Sequence, residues 1–285
     1  MEKVGKDVVR FQVGDRVTVD ANLPCGTCYY CIRGEVQFCE NNRAYGQSLN
    51  GGFAQLVAVD ESLVYKVPDS VSLRAASMTE LVGCVYNCME RCNFKYGSEV
   101  LILGGGASGN LIAQMVKSSN AATVVVDCVA SKLERLKPIG VKTILADKDD
   151  PEVHEAVLKE QYPRGFDYII DTTANPKLIS RSLYLLKRGG TFVNYGFQNN
   201  VKVAEQVQID MKLFVTRQLS YLGTTFQHFK FPQTLKAMEE KRVDPELAIS
   251  EIRPLDDFFE CMDKVLYDPE TVKIVLEPNG SSEGM

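Results

Sequence analysis

The sequence predicts an α/β protein in which a doubly wound parallel sheet adjoins a smaller β-rich region. From residue 99 onward, short apolar strands alternate with helical stretches. Strands that are buried on both faces read as such continuous apolar runs. A glycine-rich turn follows the first of these strands, whereas the preceding residues hold short β-like runs and four closely spaced cysteines.

The expected elements are these, in chain order. The β-rich region has β-like runs within residues 8–20, at 53–59 and at 64–67, and then a helix over 74–92. In the α/β region we expect strands at 100–103, 123–127, 142–145, 166–171, 191–195 and 219–222. Helices are expected between them over 109–118, 131–138, 152–161 and 176–187. Beyond residue 226 the pattern indicates a helix, a loop, a helix and a final strand over 272–276.

Composition and charge restrict the possible function. Hydrophobic residues make up 45% of the 285 residues and charged residues 24%, as in ordinary globular proteins, and the length predicts two domains. The net charge of −5 argues against binding to nucleic acid or to an acidic membrane. Residues 1–10 lack the apolar core of a signal peptide, and no stretch has the roughly 18 apolar residues of a membrane span. These observations favour a cytoplasmic enzyme.

Four cysteines have the spacing C-x2-C-x2-C-x7-C, at Cys25, Cys28, Cys31 and Cys39. Two-residue gaps let successive thiolates turn toward one ion, and four thiolates with no open position are typical of structural zinc. We therefore expect a zinc lobe over residues 22–40. The alternative is a set of free or disulfide-bonded cysteines that cluster without a metal, which a reducing compartment disfavours in its disulfide form.

Three further cysteines, Cys84, Cys88 and Cys92, recur every four residues within the predicted helix over 74–92. On a helix they form one stripe, which could be a second metal site. Free cysteine is also a small, readily buried apolar residue. A packed helix face is the favoured interpretation.

The glycine-rich turn, G-G-G-A-S-G, fits the dinucleotide-binding pattern G-x-G-x-x-G over residues 104–109. Gly104 permits the tight turn, Gly106 lets backbone approach a pyrophosphate, and Gly109 lets helix and strand pack closely. Ala107 and Ser108 open the helix, whose N-terminal amides favour phosphate. The alternative is a glycine turn with a structural role only.

Asp127 ends the next predicted strand, 23 residues after Gly104. A carboxylate at this place accepts both ribose hydroxyls of adenosine and repels a 2′-phosphate. The sequence therefore predicts a site for NAD rather than NADP.

Taken together, these features resemble the zinc-containing medium-chain alcohol dehydrogenase family, and within it most closely the polyol and sorbitol dehydrogenases. The resemblance covers nearly the whole chain and is carried by V-G-K-D-V at 4–8, F-Q-V-G-D-R-V at 11–17, the cysteine lobe, G-G-F-A at 51–54 and K-I-V-L at 273–276. It implies a GroES-like catalytic domain, formed by residues 1–78 and 227–285, split around a Rossmann domain of residues 79–226.

The resemblance also implies roles for single residues. Lys132 matches a lysine that contacts the adenosine ribose, and Lys273 a basic residue that reaches the pyrophosphate; both could equally be solvated surface charges. The residues at positions that line the nicotinamide are Thr172, Phe197 and Thr225.

Glu80 lies in T-E-L-V-G-C, which resembles the motif E-P-L-x-x whose glutamate is a ligand of catalytic zinc, with Leu81 in place of the proline. The competing interpretation is a carboxylate stabilised at a helix N-terminus. Two further zinc ligands of the family come from C-G-[ST]-D and G-H-E motifs, and neither motif occurs in this sequence. The two histidines, His154 and His228, lie outside such motifs and are expected at the surface.

The resemblance therefore implies an N-terminally incomplete catalytic domain. We expect hydride transfer between NAD and a secondary alcohol or polyol, impaired in this chain by the lack of two catalytic-zinc ligands. The alternative is a non-catalytic NAD(H)-binding regulatory or redox-sensing protein. A zinc-ribbon interaction module and a zinc-independent quinone reductase are less favoured. By the same likeness we expect a homo-oligomer that pairs through the strand over 219–222.

Overall fold

The computed structural model describes residues 1–197, 207–226 and 229–279. By its internal contacts the chain divides into two compact units, Met1–Asn87 with Phe226–Met285, and Cys88–Thr225. The sequence-based division has its boundaries after residues 78 and 226. The two divisions therefore differ in the assignment of residues 79–87 and of Phe226.

The strands and helices have the following bounds. The strands are β1 Val17–Val19, β2 Asn22–Leu23, β3 Arg43–Ala44, β4 Val64–Lys66, β5 Glu99–Leu103, β6 Ala122–Asp127, β7 Lys142–Leu145, β8 Phe166–Asp171, β9 Leu186–Asn194, β10 Ser220–Gly223, β11 Glu251–Pro254 and β12 Ile274–Glu277. The α-helices are α1 Tyr29–Ile32, α2 Leu73–Ser77, α3 Thr79–Cys92, α4 Ala107–Ser118, α5 Ala130–Glu134, α6 Pro151–Gln161, α7 Pro176–Ser182, α8 Met211–Arg217, α9 Phe231–Glu239 and α10 Phe258–Tyr267.

The unit Cys88–Thr225 is built on a six-stranded sheet of order β10-β9-β8-β5-β6-β7, with every neighbouring pair parallel. This is the doubly wound order of dinucleotide-binding folds. Strand residues such as Leu101, Ile169 and Phe192 are fully buried, as the apolar runs predicted. The predicted α/β fold class is confirmed. Strands β6 and β8 lie on opposite sides of β5, so the strand order reverses at β5. A crevice opens at the carboxyl ends of the strands at such a point.

The other unit holds three two-stranded sheets, of which β1 with β4 and β2 with β3 are antiparallel and β11 with β12 is parallel. One strand prediction was wrong here, and another was confirmed only in part. Residues 53–59 form no strand, and Phe53 and Leu56 are each 69% exposed. Within residues 8–20 only Val17–Val19 is a strand. Alternating apolar residues form a strand only when a neighbour supplies backbone partners, and no described strand pairs with 53–59.

Several predicted helices are interrupted for local reasons. The stretch 74–92 is divided at Met78 into α2 and α3, and Ser72 caps the first by accepting a hydrogen bond from the Ala75 amide at 2.9 Å. The predicted helix over 131–138 ends at Glu134, because Pro138 has no amide hydrogen to donate to the Glu134 carbonyl oxygen and its ring would clash with that group. Among the described residues, no helix combines the length and apolar character needed to cross a membrane.

Candidate functional site

The four cysteines of the predicted zinc lobe converge on one point. Their sulfur atoms all lie within 4.8 Å of one another, and the sulfurs of Cys28 and Cys39 are 3.9 Å apart. Tetrahedral zinc with Zn–S bonds of about 2.3 Å requires sulfur–sulfur distances of about 3.8 Å. Left-handed glycines turn the backbone between the ligands, with φ of +74° at Gly26 and +79° at Gly34. The donor set therefore fits a closed, structural zinc ion.

Backbone amides around the cluster act on the cysteines unequally. Hydrogen bonds from the Thr27 backbone lower the pKa of Cys25 to about 6, and the Cys31 amide lowers the pKa of Cys28. Burial raises the pKa of Cys31 to about 12. The lowered pKa values favour the thiolate form of Cys25 and Cys28, whereas burial opposes it at Cys31 unless a cation offsets the charge.

Three of the four glycines in the turn after β5 match the dinucleotide-binding pattern, and their surroundings differ. Gly104 has φ of +99°, and a Cβ there would lie 2.4 Å from Oγ1 of Thr172. A Cβ on Gly109 would lie 1.9 Å from the carbonyl oxygen of Gly104. At Gly106, by contrast, nothing lies within 4 Å of an added Cβ. Two glycines are therefore required by packing, whereas Gly106 faces open space at the start of α4. That space fits a pyrophosphate, which helix N-terminal amides stabilise.

Asp127, the last residue of β6, is bonded to this turn. Its Oδ2 accepts a hydrogen bond from the Gly105 amide at 2.6 Å, and its Oδ1 accepts one from the Val129 amide at 2.8 Å. A carboxylate has about four lone-pair sites, so each oxygen keeps one for a further donor such as a ribose hydroxyl. Half-buried Lys132 lies on the same side, since a Cβ on Gly105 would be 3.5 Å from the Cβ of Lys132. The structure thus brings Asp127, Lys132 and the turn together.

Three further predicted site residues follow the carboxyl ends of neighbouring strands. Thr172 follows β8 and donates a hydrogen bond from Oγ1 to the carbonyl oxygen of Leu103 at 2.8 Å. Phe197 follows β9 with its side chain 83% exposed, and exposed Thr225 follows β10. All three lie on the edge of the sheet that carries the glycine turn. Their contact with a nicotinamide stays a prediction.

Lys273 belongs to the other compact unit. Its side chain is exposed, and its carbonyl oxygen accepts hydrogen bonds from the amide of Ser250 at 2.7 Å and from its hydroxyl at 2.9 Å. Nothing in this geometry tests its predicted contact with the pyrophosphate.

Glu80 is half-buried in the first turn of α3. Its Oε1 accepts a hydrogen bond from the Cys84 thiol at 3.2 Å. In the described part of the chain, Glu80 belongs to no group of three or more metal-binding side chains; the four-cysteine cluster is the group found there. Its role as a ligand of catalytic zinc stays a prediction.

The stripe of cysteines on α3 is a packed face, as the sequence favoured. Cys88 is fully buried and Cys92 is 5% exposed. Contact with the Cys88 sulfur, together with burial, raises the pKa of Cys92. The raised pKa keeps the Cys92 thiol protonated, and Cys88 and Cys92 pack as small apolar side chains.

The expectation that His154 lies at the surface was wrong. Its side chain is buried on α6, and its Nδ1 has no hydrogen-bond partner among the described residues. Burial lowers its pKa, because desolvation disfavours the charged ring. His154 lies one helical turn before Leu158, which packs in the core, so it shares the buried face of α6. The polar sequence of α6 did not indicate which face is buried. His228 lies outside the described residues.

Asp171, the fully buried last residue of β8, was not among the predicted site residues. Burial raises its pKa, while hydrogen bonds from Thr173 and Ala174 oppose that rise. The available signal was its position, because Asp171 ends an apolar strand just as Asp127 does.

Comparison with known proteins gives a consistent result. The family model for zinc-binding dehydrogenase matches residues 107–240, and the model for the alcohol dehydrogenase GroES-like domain matches residues 1–69. The chain is 30% identical over 278 residues to D-altritol 5-dehydrogenase of Agrobacterium fabrum, covering 95% of this chain and 79% of that protein.

Two solved structures share the fold. A zinc-binding dehydrogenase of Sinorhizobium meliloti, bound to NADP, superposes with a TM-score of 0.86 at 26% identity, covering 97% of this chain and 80% of that one. An Escherichia coli alcohol dehydrogenase, complexed with NADH, has a TM-score of 0.86 at 23% identity, covering 97% and 81%. The coverage by both family models and the identity over almost the whole chain lead to one conclusion: the chain belongs to the zinc-containing medium-chain alcohol and polyol dehydrogenases, a family of NAD(P)-dependent oxidoreductases.

Proposed function

We propose that this chain binds NAD and serves hydride transfer between that coenzyme and a secondary alcohol or polyol. One observation carries the coenzyme assignment: the turn after β5 leaves Gly106 open while the Asp127 carboxylate is fixed beside it by the Gly105 amide. The polyol assignment is supported by the likeness to D-altritol 5-dehydrogenase.

In this proposal the protein binds and orients the coenzyme. Amides of residues 104–109, with Ala107 and Ser108 at the start of α4, hold the pyrophosphate, and Lys273 adds a positive charge. Asp127 accepts the hydroxyls of the adenosine ribose, assisted by Lys132. Backbone and side chains at Thr172, Phe197 and Thr225 line the nicotinamide. When bound, NAD supplies the ring carbon that accepts the hydride.

Asp127 also sets the coenzyme preference. Its carboxylate would face the 2′-phosphate of NADP at close range, and like charges repel. We therefore expect NADH to bind more tightly than NADPH.

We propose two distinct roles for zinc ligands. Cys25, Cys28, Cys31 and Cys39 hold a structural ion. Glu80 is proposed as a ligand of a catalytic ion, which would supply a lower pKa for a bound alcohol. Since the described residues contain one metal-capable group, we expect the 285-residue polypeptide to hold one zinc ion tightly and to oxidise alcohols weakly.

We also propose that two copies pair through β10. This strand is at one edge of the sheet, and Tyr221 on it is 41% exposed. An edge strand offers unpaired backbone groups to a second copy. We further propose a cytoplasmic location, because the described residues contain no disulfide bond, as is usual in a reducing compartment. Light scattering of the wild-type chain measures the oligomeric state directly.

The testing experiment is a fluorescence titration of the purified chain with NADH and with NADPH, combined with metal analysis. We expect saturable binding with a clear preference for NADH, and one zinc per chain. Binding of neither coenzyme would overturn the proposal. Two tightly held zinc ions, or robust oxidation of sorbitol, would refute the expected impairment, whereas NADH binding with no turnover on any polyol would favour a regulatory role.

A further inference from the structure

We propose that Asp171 is a positioning residue that holds together the two loops flanking the nicotinamide end of the coenzyme site. The inference rests on the proposed function, since it concerns the same cleft. It assigns a role to a buried carboxylate that makes none of the ion pairs found among the described residues.

The side chain of Asp171 organises the loop after β8. One carboxylate oxygen accepts hydrogen bonds from the Thr173 amide at 3.1 Å and the Thr173 hydroxyl at 2.6 Å. The other oxygen accepts one from the Ala174 amide at 2.9 Å. Ala174 has φ of +54°, a left-handed conformation that a residue with a side chain keeps only when its surroundings hold it.

The backbone of the same residue organises the loop after β9. Its carbonyl oxygen accepts hydrogen bonds from the amides of Tyr195 at 3.0 Å and Gly196 at 2.8 Å. Asp171 therefore bonds to both loops at once, through its carboxylate on one side and its carbonyl group on the other.

The two loops are also in direct backbone contact. A Cβ on Gly196 would lie 2.6 Å from the amide nitrogen of Ala174 and 3.0 Å from the carbonyl carbon of Thr172. Thr172 in turn bonds to Leu103, directly before the glycine turn. A displacement of the 172–174 loop is thus transmitted to Phe197 on one side and to Gly104 on the other.

Chemistry explains why a carboxylate occupies this position. It accepts three hydrogen bonds from three donors, whereas an amide of the same shape presents an NH2 group to one of them. A buried charge is unfavourable unless such bonds compensate it, and burial accordingly raises the pKa of Asp171. The three donors are all in the loop that Asp171 positions.

The test compares two ligands that differ by the nicotinamide ring. NADH and ADP-ribose both occupy the adenosine and pyrophosphate parts of the cleft, but NADH alone extends to the loops after β8 and β9. For Asp171→Asn we expect NADH affinity to fall about tenfold, as for loss of charge-assisted hydrogen bonds, while ADP-ribose affinity stays within about twofold. The fluorescence enhancement of bound NADH should fall with it. Asp167→Asn removes a carboxylate from the opposite end of the same strand and should change neither affinity.

A second pair of variants decides the question if Asp171→Asn does not fold. Thr173→Ala deletes the hydroxyl that donates to Asp171, and Thr173→Ser keeps it. We expect the alanine variant to lose NADH affinity selectively and the serine variant to retain it.

Unchanged NADH affinity, or an equal loss for both ligands in folded protein, would overturn the positioning role. Wild-type protein that binds ADP-ribose as tightly as NADH would overturn it as well, while leaving the cleft assignment intact. Wild-type protein that binds neither ligand would instead refute the proposed function, and this inference with it.

Discussion

The carboxylate of Asp127 accepts a hydrogen bond of 2.6 Å from the amide of Gly105. The acid that ends one strand is thereby fixed to the glycine turn that follows the neighbouring strand. Because the Val129 amide bonds to the other carboxylate oxygen at 2.8 Å, the carboxylate has one defined orientation before any coenzyme arrives. Such preorganisation reduces the entropy lost on binding.

The first prediction concerns Asp127→Ala. We expect NADH affinity to fall about tenfold or more, because charge-assisted hydrogen bonds to the ribose are lost. NADPH affinity should fall less, because repulsion of its 2′-phosphate is lost as well. Fluorescence titrations with both coenzymes measure the two changes. Asp149→Ala, at an exposed position outside the cleft, is the matched control and should leave both affinities unchanged. Unaltered NADH affinity in Asp127→Ala would defeat the assignment.

The second prediction separates coenzyme binding from packing with two alanine substitutions. Gly106→Ala places a methyl group in open space with an ordinary φ of −64°, so the protein should fold normally but bind NADH poorly, because the methyl occupies the pyrophosphate position. Gly109→Ala brings a Cβ to 1.9 Å from the Gly104 oxygen, so it should lower the free energy of unfolding by about 2 kcal/mol or more. Chemical denaturation and NADH titration are measured on each variant. Normal NADH affinity in Gly106→Ala would contradict the proposed pyrophosphate site at residues 104–109.

The third prediction concerns the zinc lobe. Cys31→Ser removes one of four converging sulfurs and should abolish tight zinc binding. A loss of about 3 kcal/mol in the free energy of unfolding would lower the unfolding midpoint of the 285-residue chain by about 5 °C. Cys128→Ser, at an exposed cysteine outside the cluster, should keep both the metal and the midpoint. Metal analysis and thermal unfolding give the readouts, and equal zinc content in the two variants would argue against the cluster.

The fourth prediction concerns buried His154. Its folded-state pKa is lowered below the ordinary 6.5 by burial. Between those two pKa values the unfolded chain binds more protons than the folded one, so the free energy of unfolding decreases as pH falls below 6.5. His154→Gln cannot titrate, and its unfolding free energy should decrease less between pH 7 and pH 5. Urea denaturation at both pH values compares the variant with wild type. The same pH dependence in both proteins would show that His154 does not contribute.

The sequence was sufficient for features that depend on local pattern. Strand β8 was predicted at its observed bounds, because its apolar and aromatic residues lie in one short segment between turn signals. The zinc lobe could also be predicted, because the short gaps between its cysteines leave few alternative geometries. The glycine turn and Asp127, both identified from the sequence, also lie side by side in the structure.

Features that depend on contacts between residues distant in the chain could not be predicted from the sequence. Residues 53–59 alternate like a strand but lack a paired neighbour among the described strands. The hydrogen bonds of Asp171 to loops after two different strands follow from the sheet order, which a linear sequence does not display. The burial of His154 likewise depends on which face of α6 covers the sheet.

The sulfurs that converge in the lobe all come from the short segment between Cys25 and Cys39. Metal capture therefore closes only small loops, whose entropic cost is low. Pairing of Val17–Val19 with Val64–Lys66, in contrast, must bring together residues nearly fifty positions apart. A nascent chain leaving the ribosome can thus acquire its ion before that pairing is possible.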